Sequence, residues 1–250
     1  MTSCLLNLPS AARNLTTAVV TQDRPARSRK VLPRSTGFHP LAQAKQGPLY
    51  VSRRSRLLLC AGLVPLPWFL FWTSVAAVFA PGYNPLAQHA SELLQAPTLA
   101  SICGRIAAIG SGMGFVAFSI GVWRESGRRI AVGAICWMIF GISMLTNGLW
   151  PMGHPMHGFY TIGIANIIAP AMSHIELSAW SANRRAYAVT AMVSIASIVY
   201  LWLNVVGADP EGYMGLTQRV FSSINSLWPF LVALYLLRRD SNELKTHLEH

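Results

Sequence analysis

Charged residues are scarce in this chain. Only 12% of its 250 residues are Asp, Glu, Lys or Arg, and just nine are acidic. A soluble domain carries about 25% charged residues. This shortage excludes an ordinary water-soluble globular protein, and the 52% of hydrophobic residues is typical of a chain that faces lipid over much of its surface.

Cysteines are also few. There are four, at Cys4, Cys60, Cys103 and Cys136, and no two of them have the spacing of a metal site. We therefore expect no structural disulfide and no thiolate-bound metal. No apolar segment lies near residue 1, so we do not expect a secretory signal peptide there.

Long apolar runs are what the chain does have. Runs of 18 or more apolar residues are typical of membrane-spanning helices, which cross a core about 30 Å thick at about 1.5 Å per residue. Runs of this length are too long for barrel strands. We predict an all-α polytopic membrane protein, a single bundle of six transmembrane helices at about 57–80, 99–123, 130–150, 158–180, 187–207 and 218–237.

Basic residues mark alternate connections between these runs. The first loop (residues 81–98) and the third loop (between spans three and four) contain no Lys or Arg. Positive charge near span ends stays in the cytoplasm, so both termini are predicted to be cytoplasmic and these two loops to face outward, as in a bacterial inner membrane. Only Arg219 departs from the alternation of Arg53, Arg54, Arg56, Arg124, Arg128, Arg129, Arg184, Arg185, Arg238, Arg239 and Lys245.

The two ends of the chain differ from the predicted transmembrane domain at residues 51–240. Residues 1–50 are rich in Arg, Ser, Thr and Pro, which favours a disordered basic tail. An organelle transit peptide and a true start at Val51 are the alternatives. Residues 241–250 are expected to form a cytoplasmic C-terminal tail. The net charge of +11 is divided between the N-terminal tail and the cytoplasmic loops, and it comes with no nucleic-acid-binding motif, so no nucleic acid partner is expected.

Polar residues within the spans suggest function, because burying them in lipid is costly. Asn166, Ser173 and His174 share one face of span four with Pro170. Arg105 lies about 9 Å into span two, at about 1.5 Å per residue. It either snorkels outward or pairs with an acid, for which Glu92, Asp209 and Glu211 are the candidates.

The two outward loops hold the remaining candidates. The third loop contains "HPMH", with His154 and His157, and the first loop contributes Tyr83, His89, Ser91 and Glu92. Two His and a carboxylate can bind zinc, but the spacing is not that of a helical "HExxH" motif. A turn in which His caps helix ends, a polar binding or catalytic pocket, and a metal site all stay open. The prediction adopted is no metal and no cofactor.

Two segments, "PGYNPLAQHASELLQAP" and "NGLWPMGHPMHGFYTIG", resemble those of a bacterial and archaeal family of small integral membrane proteins catalogued as domain of unknown function nine hundred and ninety-eight. That family has "Y-x-P" and "S-E-L" after helix one and a "P-x-D" turn with a nearby His after helix three. Gly153 and His154 stand here where an acid is often expected. The resemblance covers about residues 57–237 and implies the fold without a reaction. Its matching positions are Tyr83, Pro85, Ser91, Glu92, Leu93, Pro151 and His157.

Two functions are therefore compatible with the sequence. One is a binding, sensory or accessory membrane protein whose outward loops form a polar pocket for a small or lipid-like ligand. The other is an intramembrane hydrolase of lipid-like substrates, zinc-dependent or not, that uses Ser91, Glu92 and the His pair. Transport is disfavoured because the two halves lack repeat similarity. For the pocket we predict a short helix within "PLAQHASELL" and an ion pair between Glu92 and Arg105.

Overall fold

The computed structural model describes residues 53–157 and 163–248, and every regular element within these ranges is a helix. The prediction of an all-helical protein is confirmed there, whereas the predicted tail at residues 1–50 lies outside the described residues. Two 3₁₀ helices, Ala61–Leu63 and Ala90–Leu94, accompany eight α-helices. These are α1 Arg53–Cys60, α2 Pro65–Val78, α3 Leu99–Ser126, α4 Val132–Leu149, α5 Gly163–Glu176, α6 Ser178–Ser181, α7 Arg184–Val206 and α8 Met214–Leu248.

Five segments of the described chain are long and apolar enough to cross a membrane. The protein is thus a multi-pass membrane protein. Predicted span four corresponds to α5 and α6, and its first residues, 158–162, lie outside the described part. Span one is interrupted, because α1 passes through a 3₁₀ turn into α2, where Pro65 occupies the first helical position that suits proline. At the other end, α8 continues to Leu248.

Small residues allow helices α3 and α4 to approach closely. Gly112 of α3 faces Gly141 of α4, and a Cβ added to Gly112 would lie 2.7 Å from the Gly141 carbonyl oxygen. Gly114 packs in the same close way against Pro65, and Gly104 against Leu94. These contacts are within one chain, so the small residues of α3 serve packing of the bundle.

Large aromatic rings fill the half of the bundle nearer the start of α4. The Trp137 ring stacks on Phe115 at 5.6 Å and on Trp228 at 5.5 Å, and Phe118 meets both indoles edge-on. Trp180 adds an edge contact to Trp228. Trp137, Trp228, Phe115 and Phe118 are completely buried. We call these five residues the aromatic half.

Candidate functional site

A cavity of about 350 Å³ occupies the opposite half of the bundle. It lies between α4, α5, α7 and α8, and the first and third loops contribute to its wall at the end of the bundle that is predicted to face outward. Its described lining residues are His89, Ser91, Phe140, Ser143, Met144, Asn147, Met152, His157, Asn166, Ser197, Tyr200, Leu201, Asn204, Gln218, Phe221, Ser222 and Asn225.

Most of the polar lining forms stripes on apolar helices. Each stripe recurs every three or four residues, which places its members on one side of a helix. Sequence inspection overlooked these stripes, although their spacing was a readable signal, since a polar stripe on an apolar helix marks a side turned away from lipid. They are Ser143 and Asn147 on α4, Ser197, Tyr200 and Asn204 on α7, and Gln218, Ser222 and Asn225 on α8.

None of the lining residues that the structure describes is Asp, Glu, Lys or Arg. Amides and hydroxyls dominate instead, with two imidazoles and one phenol. Asn225 is only 5% exposed, and its Oδ1 has no hydrogen-bond partner. A buried acceptor without a donor costs free energy, so this oxygen needs a donor that the described side chains do not supply and that water or a ligand in the cavity would provide.

Arg219 fastens the first loop over the bundle. Its Nη1 donates to the carbonyl oxygens of Pro85 (2.7 Å), Gln88 (3.1 Å) and Gly215 (2.9 Å), and its Nη2 donates to the Tyr83 hydroxyl. Arg219, which departs from the alternation of basic residues, thus has a structural role at this end of the bundle. Its guanidinium group offers five donors in a rigid fork.

Further bonds join the first loop to the start of α8. The Leu216 N–H donates to Leu86 O at 2.9 Å, and Gln218 Oε1 accepts from the Ala90 N–H at 2.8 Å. Tyr83 donates from its hydroxyl toward Gln88 O at 3.1 Å. Burial raises the pKa of the Tyr83 phenol despite the neighbouring Arg219, which acts to lower it. The phenol therefore stays protonated, as this bond requires.

The predicted short helix of the first loop is confirmed as the 3₁₀ helix Ala90–Leu94. Glu92 helps to start it, because its Oε1 accepts from the His89 N–H at 2.8 Å while Oε2 accepts from Gln88 Nε2 at 3.1 Å. Leu93 and Leu94 are each only 5% exposed and fix the helix to the bundle.

The predicted ion pair between Glu92 and Arg105 is wrong. Arg105 instead donates from Nη1 to Leu149 O (2.9 Å) and Gly148 O (3.3 Å) at the end of α4. A helix C-terminus carries partial negative charge and free carbonyls, so it satisfies a cation without a carboxylate. The start of α4 is capped in the complementary way, since Glu176 accepts from the Gly133 N–H at 2.9 Å and the Ala134 N–H at 3.3 Å.

The two histidines of the third loop differ in position. His154 is exposed, its ring stacks on Trp150 at 5.8 Å, and its Nδ1 accepts from the Met156 N–H at 3.1 Å. His157 lies against the cavity, with Nδ1 2.8 Å from Trp150 O. "HPMH" is therefore a hydrogen-bonded turn that presents one imidazole to the cavity.

The residues on the predicted polar face of α5 also have different surroundings. Asn166 lines the cavity, whereas Ser173 is fully buried beside Gly133, and its hydroxyl has no partner. His174 faces α7, where Nδ1 lies 3.3 Å from Thr190 Oγ1. Thr190 Oγ1 also accepts from the indole of Trp228 at 3.0 Å, so His174 belongs to the surroundings of the aromatic half.

Of the ten residues predicted for the site, the structure brings four to the cavity: His89, Ser91, His157 and Asn166. Tyr83 and Glu92 act around it through the first loop, Arg105 binds the end of α4, and His154, Ser173 and His174 lie apart. Ser91 donates toward Met152 Sδ at 3.8 Å, and neither histidine is its partner. Among the described residues, no three His, Cys, Asp or Glu side chains group closely enough to hold a metal.

Comparison with protein families gives one result. Residues 63–235 match a family described as protein of unknown function (DUF998). The chain belongs to this family. The match begins near the end of the 3₁₀ turn in span one and ends within α8, so it includes every wall of the cavity. Neither the curated proteins nor the solved structures gave a match.

Proposed function

We propose that this member of the DUF998 family is a ligand-binding protein of the bacterial inner membrane, in a sensory or accessory role. The ligand occupies the polar cavity, which opens toward the outer side. His89, Ser91, His157 and Asn166 contribute from the loops and α5, and the stripes of α4, α7 and α8 contribute the remainder. The observation that carries this proposal is the unpartnered Asn225 oxygen in a cavity lined by polar residues.

The volume and lining support binding. Small-molecule pockets measure about 300–1,000 Å³ and place a few polar groups among apolar ones. At about 350 Å³, this cavity is at the small end of that range. It combines amides and hydroxyls with an apolar wall that includes Phe140, Leu201 and Phe221.

The geometry supports binding more than hydrolysis. A serine nucleophile needs a base within hydrogen-bond reach. Ser91 instead contacts Met152, and the Glu92 carboxylate is occupied by Gln88 and the backbone of His89. In this arrangement neither residue is placed for acyl transfer.

Orientation can be tested with alkaline phosphatase fusions in a bacterial host. A fusion after Gly153 should be active, because the third loop is predicted to lie outside, and a fusion after Ser126 should be inactive. The opposite pattern would place the cavity mouth in the cytoplasm and refute this part of the proposal.

Binding can be tested by native mass spectrometry of protein purified in a mild detergent from the host membrane. The wild-type protein should retain a bound small molecule or lipid that is absent from Ser222→Phe, whose ring would fill the cavity. Val220→Phe is the matched control, because Val220 is 45% exposed on the same helix. Equal adducts in all three proteins would refute a ligand in this cavity.

A further inference from the structure

The cavity lining restricts the charge of its ligand. An ionised group moved from water into a poorly solvated site loses several kcal/mol unless a counter-charge meets it. The described lining offers no carboxylate, ammonium or guanidinium group. Arg105 and Arg219 are not among the described lining residues; Arg105 donates from Nη1 to carbonyls at the end of α4, and Arg219 donates to carbonyls and to the Tyr83 hydroxyl of the first loop. Apart from the imidazoles of His89 and His157, the described lining therefore provides no counter-charge, which favours an uncharged ligand group.

The lining also restricts the ligand's hydrogen-bonding groups. Asn225 Oδ1 needs a donor. In addition, Pro170 and Pro229 lie within helices exactly four residues after Asn166 and Asn225. Because proline has no N–H, it leaves the carbonyl four residues earlier without its helical partner. The backbone carbonyls of these two asparagines thus lack the N–H that a regular helix supplies, and together with Asn225 Oδ1 they favour a ligand with O–H donors.

The remaining lining suits hydroxyl groups as well. Serine hydroxyls and the amides of asparagine and glutamine both donate and accept, as an alcohol does. Tyr200 stacks on Phe221 at 5.0 Å, and both rings reach the cavity wall. They provide an apolar surface for the C–H groups of a small polyol.

We propose that the cavity binds an uncharged group bearing several hydroxyls, such as a sugar or glycerol unit, free or as the head of a neutral lipid. Asn225 Oδ1 accepts a hydrogen bond from one of these hydroxyls. This inference rests on the proposed binding function and adds the class of ligand to it.

The test uses the full chain in phosphatidylcholine nanodiscs and follows its unfolding temperature. Glucose is titrated beside glucuronate and glucosamine, which match it in size and carry one negative or one positive charge. A glucosyl diacylglycerol is the lipid-borne probe. A ligand that binds only the folded state raises the unfolding temperature with concentration. We expect glucose or the glucolipid to do so, and the two charged sugars to fall at least about ten-fold short in apparent affinity.

Variants separate binding from the general stabilisation that sugars exert by exclusion from protein surfaces. Asn225→Leu should weaken binding by about ten-fold, since it removes a hydrogen-bond acceptor from a buried site, and Ser222→Ala should weaken it less. The control is Ser119→Ala, a fully buried hydroxyl bonded to Val116 O at 2.7 Å and absent from the lining. It should bind as the wild type does.

The outcomes are distinguishable. A response to glucose indicates that the hydroxyl-bearing group binds without a lipid tail. A response to the glucolipid alone indicates that the ligand is a lipid. Both results support the inference. Equal or stronger binding of a charged sugar would overturn it. An unchanged apparent affinity of Asn225→Leu for the neutral probe would also overturn it. The inference would also fail if no neutral probe raised the unfolding temperature while mass spectrometry found an adduct that is lost in Ser222→Phe. That result would leave the proposed function intact.

Discussion

The two halves of this bundle use the same helices in opposite ways. In the aromatic half, rings from α3, α4, α6 and α8 pack against one another, and Trp137 and Trp228 are fully buried. In the polar half, the same α4 and α8 present Ser, Asn and Gln side chains, and a cavity of about 350 Å³ is left. Trp228 and Asn225 lie one turn apart on α8. The aromatic half is thus closely packed, whereas the polar half encloses a cavity lined by polar side chains.

The largest effect is expected from truncation in the aromatic half. Trp137→Ala should lower the free energy of unfolding by about 3–5 kcal/mol, because a fully buried indole leaves a large void. Thermal unfolding in detergent measures this. Trp137→Phe should cost far less, since it keeps a stacked ring and removes an indole N–H that has no partner. Trp202→Ala, at a residue 59% exposed, is the lipid-facing control. Equal losses at Trp137 and Trp202 would mean that the two sites do not differ in packing.

A smaller effect on stability is expected at the N-terminus of α4, which Glu176 caps. Glu176→Ala should destabilise by about 1–3 kcal/mol, because it leaves the N–H groups of Gly133 and Ala134 buried without an acceptor. Glu176→Gln keeps one acceptor oxygen and should lose less. The measurement is the same unfolding assay, and an unchanged Glu176→Ala protein would show that the cap adds nothing to α4.

In the polar half, a substitution is expected to leave the free energy of unfolding unchanged or to raise it. Asn225→Leu removes an unpartnered buried acceptor, so stability without ligand should stay constant or rise by up to about 1 kcal/mol. Asn225→Ala is the matched comparison and should be less stable than Asn225→Leu, because it enlarges the cavity. A loss in Asn225→Leu as great as that in Trp137→Ala would abolish the distinction between the halves.

The smallest effect concerns the first loop that covers the polar half. The pKa of Tyr83 is raised by burial, so the folded state holds the phenol proton more tightly than the unfolded state does. The contribution of this group is complete below a pH of about 10, the ordinary tyrosine pKa, and declines as pH rises through the folded pKa. Hydrogen exchange of Ala90–Leu94 should therefore speed up at high pH beyond its intrinsic rate. Tyr83→Phe should lack that extra dependence, and an identical profile in both proteins would contradict the assignment.

Much of the site depended on information that local patterns do not carry. Hydroxyl, amide and imidazole residues in two loops suggested a pocket, and His89, Ser91, His157 and Asn166 do reach one. Glu92 and Arg105 were paired by charge alone. The end of α4 satisfied Arg105 instead, and no local pattern could reveal that neighbour because α3 and α4 meet through the contact of Gly112 with Gly141.

By itself, the sequence determined that this is a helical protein of the membrane. Hydrophobic length and the exclusion of unpaired backbone groups from lipid act within each segment, so they can be evaluated without neighbours. The sequence also contained the polar stripes of α4, α7 and α8. Only the tertiary structure decided that these stripes face one another, because the rotation of each helix is set by its packing partners. The stacked Trp137 and Trp228 hold α4 and α8 in that rotation, and the cavity follows from it.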